Sequence, residues 1–204
     1  MTTLSAKGTK LNRRGLETRQ AVLRVAVRCL AEGGPESVSA NRIAREANVT
    51  WGTVQHQFGD SDGLWAAVLD TISGRGPRLL PVPPDVVTLE ARVAMIVDII
   101  WDAMGKPALK AMHNLRRSLP RERAELETQY PRTAAALAAW DSKWQRACRE
   151  AFGGIDVDGG RLERVRAFLP GAVRGLYDEQ YLSSFVDIAE ARAGLAGAIT
   201  AYLR

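Results

Sequence analysis

The spacing of apolar residues along the chain is helical nearly throughout. Within residues 18–32 the apolar positions recur at intervals of three and four, which places them on one stripe of a helix. No segment shows the period of two that is typical of a half-buried strand. The pattern therefore predicts an all-α protein. The predicted helices cover residues 18–32, 40–46, 51–57, 62–73, 87–104, 107–118, 120–152 with a break at Pro131, 161–177 and 182–203.

Glycine and proline divide these helices into groups. Gly33-Gly34-Pro35 is expected to end the first helix, and residues 74–84 have Gly or Pro at nearly every second position. Residues 74–84 are the clearest domain boundary that the sequence offers.

Positive charge is concentrated at the N-terminal end. Residues 1–28 carry seven Lys and Arg residues against a single acidic residue, Glu17, whereas the whole chain has a net charge of +5. A basic end on a nearly neutral body favours a protein that binds an anionic polymer or surface. A solvated, disordered tail over residues 1–12 would show the same charge, and the two interpretations are compatible.

Several function classes are disfavoured by composition. The two cysteines have neither disulfide-framework nor metal-site spacing, and the N-terminus has no signal peptide, so we expect a cytoplasmic protein without metal or cofactor. The longest apolar run, residues 93–101, is broken by Asp98 and is too short to span a bilayer, which predicts no membrane partner. The motifs HExxH, GxSxG and GxxxxGK[ST] are absent, so we do not expect an enzyme.

Residues 39–58 have the layout of a helix-turn-helix. Two short helices are joined by Ala47-Asn48-Val49, and Asn tolerates the left-handed backbone that such a turn often needs. Ile43, Val49, Val54 and Phe58 would be buried, which leaves five residues of the second helix to solvent or a partner: Trp51, Thr53, Gln55, His56 and Gln57. A helix-turn-helix used only for packing is the alternative.

The second of these helices suits a DNA groove for physical reasons. Its N-terminus offers free N–H groups to a phosphate, and Gly52 lets the backbone approach closely. Thr53 can contact a thymine methyl group and Gln55 an adenine edge. Arg42, Arg45 and the group Arg13, Arg14 and Arg19 can bind the DNA backbone without reading sequence. The predicted DNA-binding residues are Arg19, Ser39, Asn41, Arg42, Thr50, Trp51, Gly52, Thr53, Gln55 and His56.

The stretch VSANRIAREANVTWGTVQHQFGDSDGLWAAVL resembles the N-terminal domain of TetR-type transcriptional regulators over about residues 16–72. The resemblance implies a three-helix DNA-binding domain followed by a helical ligand-binding and dimerisation domain. We accordingly predict a basic, disordered arm at 1–15, a helix-turn-helix domain at 16–74 and an effector-binding and dimerisation domain at 75–204. The function implied is that of a repressor that a small molecule releases from DNA; the alternative is a helical interaction module that does not bind DNA.

Two positions depart from the pattern of that family. Gln55 stands where the family usually has Tyr, and Asp62 stands where it usually has Lys. Both usual residues contact phosphates in the family, so the resemblance implies weaker nonspecific binding here. The basic segment before Thr18 is expected to offset part of that loss.

The last two predicted helices are rich in small residues. Glycine inside a helix costs about 1 kcal/mol relative to alanine, so its repetition indicates close contact between helices. We predict a homodimer whose interface includes Gly175, Leu176, Gly194, Leu195 and Ala198, and therefore a palindromic operator in double-stranded DNA. Packing within one chain is the alternative.

The middle helices carry aromatic and polarisable side chains. The family resemblance implies an effector pocket among them, and apolar walls with a few polar groups fit a small apolar or aromatic molecule. Plain core packing is an equally good explanation of Trp and Met at helical spacing. The predicted ligand-binding residues are Met95, Asp98, Trp101, Met104, His113, Trp140 and Trp144.

Overall fold

The computed structural model describes residues 6, 8–33, 39–74, 79–182 and 185–204. Within them the chain forms ten α-helices and no β-strand, which confirms the predicted all-α fold. None of the described helices is long and apolar enough to cross a membrane. The helices are α1 (Arg13–Glu32), α2 (Ala40–Glu46), α3 (Trp51–Phe58), α4 (Ser61–Ser73), α5 (Leu89–Met104), α6 (Pro107–Ser118), α7 (Arg123–Gln129), α8 (Pro131–Ala151), α9 (Gly159–Glu179) and α10 (Ile188–Leu203).

Capping residues explain why three helices start at residues other than those predicted. α1 begins five residues before Thr18, because the Asn12 side chain accepts a hydrogen bond from the Gly15 N–H at 2.9 Å. α4 begins at Ser61, since Asp60 and not Ser61 is its cap. Asp187 likewise caps α10, which therefore starts later than predicted.

The predicted helix ends are largely confirmed. α2 and α6 have the predicted bounds, and the predicted break at Pro131 separates α7 from α8. The first helix ends before Gly33, whereas Gly34 and Pro35 lie outside the described residues, as do residues 75–78 of the segment 74–84.

The chain forms two compact units. The first contains α1–α4, α6, α7 and α8 up to Trp140; the second contains α5, α8 from Asp141, α9 and α10. The boundary between units thus falls within α8. The predicted division into functional domains at 16–74 and 75–204 stays a prediction.

The first unit is built on α1. Its buried face is wider than the predicted stripe, because Leu23 and Val27 are buried together with Val22, Ala26, Cys29 and Leu30. This face packs in one cluster with Leu64 and Val68 of α4 and Leu115 of α6. A fully buried aliphatic side chain contributes about 1.5–3 kcal/mol to folding, so the cluster provides a rigid base for the short helices α2 and α3.

The second unit has a separate core formed by α5, α8, α9 and α10. Arg92 of α5 is buried beside it and donates hydrogen bonds to the carbonyl oxygens of Val86 and Ala151. Ala151 is the last residue of α8, so a cation faces the negative end of that helix, where it is stabilising. The buried apolar residues of this core are Leu80, Val93, Ile96, Val97, Ile100, Ala147, Cys148, Ala151, Phe152, Val165, Leu169, Val173, Ile199 and Leu203.

Candidate DNA interface

α2 and α3 form a helix-turn-helix. Asn48 adopts φ +53°, the left-handed conformation expected of the turn. The Val49 N–H donates to the Ala44 carbonyl at 3.0 Å, which closes the turn against α2. Thr50 then caps α3: its hydroxyl oxygen accepts from the Thr53 N–H at 3.2 Å and lies 3.0 Å from the Thr53 hydroxyl.

Apolar residues hold the two helices in place. Ile43, Val54 and Phe58 are buried as predicted, whereas Val49 is only half-buried and packs at the edge of the same cluster. The N-terminus of α3 and its Gly52, Gln55 and His56 remain exposed.

A concave surface that borders a volume of about 740 Å³ lies beside the start of α3. Four predicted DNA-binding residues line it, namely Asn41, Thr50, Trp51 and Thr53. It is thus formed by α2, the turn and α3, with α1 closing one side. The structure brings these four together around one hollow.

Four further polar residues line that surface: Arg14 and Thr18 come from α1, Arg45 from α2 and Asn48 from the turn. Arg14 and Arg45 are among the residues expected to bind the DNA backbone, and sequence spacing places Arg45 four residues after Asn41 on one face of α2. Thr18 and Asn48 are absent from the predicted set. The contribution of Thr18 depends on the packing of α1 and has no local signal in the sequence.

Other predicted DNA-binding residues have roles inside the unit. The Ser39 hydroxyl caps α2 by accepting from the Arg42 N–H at 3.3 Å. Arg42 and Arg28 both pair with Glu46, at 3.3 and 3.1 Å. The hydrogen bond from Arg42, joined by that from Arg28, holds the pKa of the Glu46 carboxyl below its usual value.

Arg19 of α1 and Gln57 of α3 contact each other at the C-terminal end of α3. The Arg19 guanidinium donates to the Gln57 carbonyl at 2.7 Å and stacks over the Phe58 ring at 4.2 Å. Burial lowers the pKa of Arg19. The expectation that Gln57 is shared with solvent or a partner is wrong, because its side chain is buried and donates to the Gly15 carbonyl at 3.2 Å.

Asp62 does not present a carboxylate to solvent. It is buried, and both of its carboxylate oxygens accept hydrogen bonds from the start of α8: Oδ1 from the Thr133 N–H and Oδ2 from Arg132. Burial opposes ionisation of this carboxyl, but the hydrogen bonds from Thr133 and Arg132 outweigh it, and the pKa is lowered. The expected repulsion of phosphates by an exposed Asp62 therefore does not apply.

The predicted ligand-binding residues are divided between the two units. His113 and Trp140 belong to the first unit, whereas Met95, Asp98, Trp101, Met104 and Trp144 belong to the second. In the second unit, Trp101 stands edge-on to Tyr177 at 5.2 Å, and the Arg192 guanidinium lies over it at 4.6 Å. Asp98 pairs with the same Arg192, and the Trp144 indole donates to the Arg166 carbonyl at 3.0 Å.

The predicted dimer residues lie on α9 and α10. Gly175 and Gly194 are exposed, and a Cβ atom added at either would have no neighbour within 4 Å. Ala198 is exposed too, whereas Leu176 and Leu195 are half-buried. Leu195 packs against the core of the second unit.

A family model described as bacterial regulatory proteins of the tetR family matches residues 22–68. That range runs from the buried stripe of α1 through α2 and α3 to α4. The N-terminal segment of the chain, from α1 to α4, is therefore similar to the TetR family.

Curated relatives of this chain come from mycobacteria. Over 73 residues it is 37% identical to the HTH-type transcriptional repressor Rv3405c of Mycobacterium tuberculosis, and equally identical to the HTH-type transcriptional regulator Mb3439c of Mycobacterium bovis. The matched segment covers 35% of this chain and 39% of each relative.

Solved structures resemble this chain over nearly its whole length. A TetR-family transcriptional regulator from Rhodococcus sp. has a TM-score of 0.63 at 22% identity, over 93% of this chain and 100% of that one. The multidrug binding protein EbrR, complexed with proflavin, has a TM-score of 0.57 at 16% identity, over 89% and 99%. NalD, the secondary repressor of the MexAB-OprM multidrug efflux pump in Pseudomonas aeruginosa, has a TM-score of 0.57 at 18% identity, over 92% and 97%. These likenesses establish a shared fold.

Proposed function

We propose that this protein is a sequence-specific DNA-binding transcriptional regulator, a homodimeric repressor that a small molecule releases from its operator. The observation that carries the proposal is the start of α3, where Thr50 and Gly52 are exposed, beside a concave surface lined by Arg14, Asn41, Arg45 and Thr53. The match of residues 22–68 to the tetR-family model and the mycobacterial repressor among the relatives support the same function.

The chemistry of the concave surface suits duplex DNA. Arg14 and Arg45 would contact phosphates, which adds affinity without sequence preference. Thr53 in the first turn of α3 and Gln55 two residues later would meet base edges in the major groove. Trp51 is half-buried at the first position of α3, where its ring would pack against a sugar or a thymine methyl group.

The dimer is proposed to form through α9 and α10. Gly175 and Gly194 leave open space that a helix of a second copy would fill, and large apolar side chains are exposed in the same unit. Two DNA-binding units related by a twofold axis would read half-sites about 34–36 Å apart. The exposed apolar residues of this unit are Val87, Phe168, Tyr181, Leu182, Phe185, Val186 and Tyr202.

The effector is proposed to be a small apolar or aromatic molecule that binds near Trp101. The indole of Trp101, the edge-on ring of Tyr177 and the guanidinium of Arg192 already form one contact group, to which another flat ring could add. The proflavin complex of EbrR, a protein of the same fold, supports a flat aromatic ligand. Release from DNA would require that the effector bind the DNA-free state more tightly.

Selection of DNA fragments by the purified protein tests the proposal. We expect a palindromic site, with affinity that falls steeply between two salt concentrations because bound phosphates release counterions. A matched variant, Thr53→Ala with Gln55→Ala, should lose the enrichment. Absence of any enriched site at low salt would contradict DNA binding and favour an interaction module.

A further inference from the structure

Arg132, in the first turn of α8, reaches the turn between α3 and α4, here defined as residues 58–63. Its guanidinium donates to the Phe58 carbonyl at 3.2 Å and to Asp62 at 3.1 Å, and it also pairs with Asp60. One side chain therefore contacts the last residue of α3, the cap of α4 and the first turn of α4. All of these residues belong to the first unit.

A second set of contacts joins the same two segments, and in these the backbone N–H groups at the start of α8 are the donors. Pro131 has no N–H, so the first N–H groups at the start of α8 are those of Arg132 and Thr133, and both donate to the Asp62 carboxylate, at 3.0 and 2.8 Å. The Thr133 hydroxyl donates to the Asp62 carbonyl at 3.1 Å. Asp62 thus caps a helix that begins 69 positions later in the chain, and Thr133 is completely buried at the contact.

The turn leaves no space for a side chain between these groups. A Cβ atom on Gly63 would lie 2.0 Å from the Phe58 carbonyl oxygen and 2.6 Å from the Arg132 guanidinium. Gly59 has φ +91°, a conformation that other residues rarely adopt. Close approach of the guanidinium to the backbone is therefore part of the local structure.

α3 has only eight residues, so tertiary contacts must define its orientation. Its C-terminal carbonyls are held by two arginines: that of Gln57 by Arg19 from α1, and that of Phe58 by Arg132 from α8. Cations at this end of a helix also interact favourably with its dipole.

We propose that Arg132 is a positioning residue for DNA recognition: by holding the Phe58 carbonyl and Asp62, it fixes the C-terminal end of α3 and hence the angle at which α3 enters the groove. The proposal rests on the proposed function, since α3 is there the recognition helix. Arg132 acts through α3 and does not itself contact DNA.

The test compares Arg132→Met with Arg132→Lys and with the control Arg123→Met. Arg123 lies in the same unit and makes an exposed pair with Glu127 at 2.7 Å, whose loss should be neutral. The probe is the duplex selected by the unmodified protein. We expect Arg132→Met to bind it about tenfold more weakly, the factor that one lost charged hydrogen bond allows, with partial rescue by Arg132→Lys and no change for Arg123→Met.

Hydrogen exchange of the full-length variants separates positioning from general stability. Arg132→Met should raise the exchange rates of amides 54–59 about tenfold while those of residues 22–30 in α1 stay unchanged. Equal loss of protection in both segments, or unchanged exchange in residues 54–59, would overturn the proposal. If the unmodified protein selects no duplex, the proposed function fails, but the exchange comparison still decides whether Arg132 holds α3.

Discussion

The carboxylate of Asp62 accepts a 2.8 Å hydrogen bond from the backbone N–H of Thr133, a residue 71 positions further along the chain. This contact joins the start of α4 to the start of α8 inside the first unit. Because the carboxylate is buried, its charge is compensated only by α8, and its loss should be costly.

Asp62→Asn should lower the free energy of unfolding at pH 7 by about 2 kcal/mol, because the amide group cannot accept from both N–H donors. The pKa of Asp62 is lowered on folding, so its stabilisation is present above the usual carboxyl pKa of about 4 and is lost as pH falls below it. The difference in the free energy of unfolding between the two proteins, measured by urea unfolding, should therefore shrink as the pH falls towards about 2–3. Asp141→Asn, at an exposed position of α8, is the control, and a difference that is constant with pH would contradict the assignment.

Gly63→Ala should destabilise the first unit by about 2 kcal/mol or more. The added Cβ would meet the Phe58 carbonyl at 2.0 Å, and a backbone atom cannot move aside without distorting the end of α3. Thermal unfolding measures the effect. A melting temperature equal to that of the unmodified protein would show that the turn can open without cost.

Gly52→Ala should have opposite effects on stability and on DNA binding. A Cβ atom there would meet only the Thr50 hydroxyl, at 3.7 Å, so the helix should gain up to about 1 kcal/mol from the better helix former. The same methyl group would lie between the first turn of α3 and DNA, and affinity should fall. Calorimetry on one preparation measures the change in stability, and DNA titration of the same preparation measures the change in affinity. Increased affinity for DNA would place Gly52 away from the DNA.

Thr53→Ala combined with Gln55→Ala should abolish the preference for the selected site over random DNA while leaving the oligomeric state unchanged. In the proposed complex these residues would contact bases, whereas Arg14 and Arg45 would contact phosphates. Competition titrations with random duplex measure the ratio of affinities. Gln20→Ala, exposed on α1, serves as the control; retained discrimination in the double variant would mean that another element reads the sequence.

Gly194→Leu should convert the dimer to a monomer, because the new side chain fills the space proposed for the partner helix. Light-scattering mass at several concentrations is the measurement. Ala189→Leu, exposed at the start of the same helix, should retain the dimer mass. A dimer that persists in Gly194→Leu would exclude this part of α10 from the interface.

Local signals in the sequence predicted most of the fold. The period of apolar residues identified the helices, and the bounds of α2 and α6 were predicted correctly, because capping and helix-stop residues act within a few positions. The helix-turn-helix was predictable for the same reason: Asn48, Thr50 and the buried Ile43 and Val54 lie within one short segment.

The remaining features depend on residues that are distant in sequence. Gln57 was expected at the surface, but Gly15, 42 positions away, binds its side chain in the interior. Thr18 joins the candidate interface only because α1 packs beside α2 and α3. Predicting these contacts requires the relative placement of helices, which periodicity within each helix does not contain.

The sequence by itself therefore determined the all-α class and the helix-turn-helix, since each follows from interactions over three to eight residues. Only the tertiary structure decided what Asp62 does. Sequence comparison treats it as a carboxylate in a position that usually contacts phosphate, whereas folding buries it against the first N–H groups of α8. The reason is physical: a charge is placed by whichever partner can compensate its desolvation, and here that partner is 71 residues away.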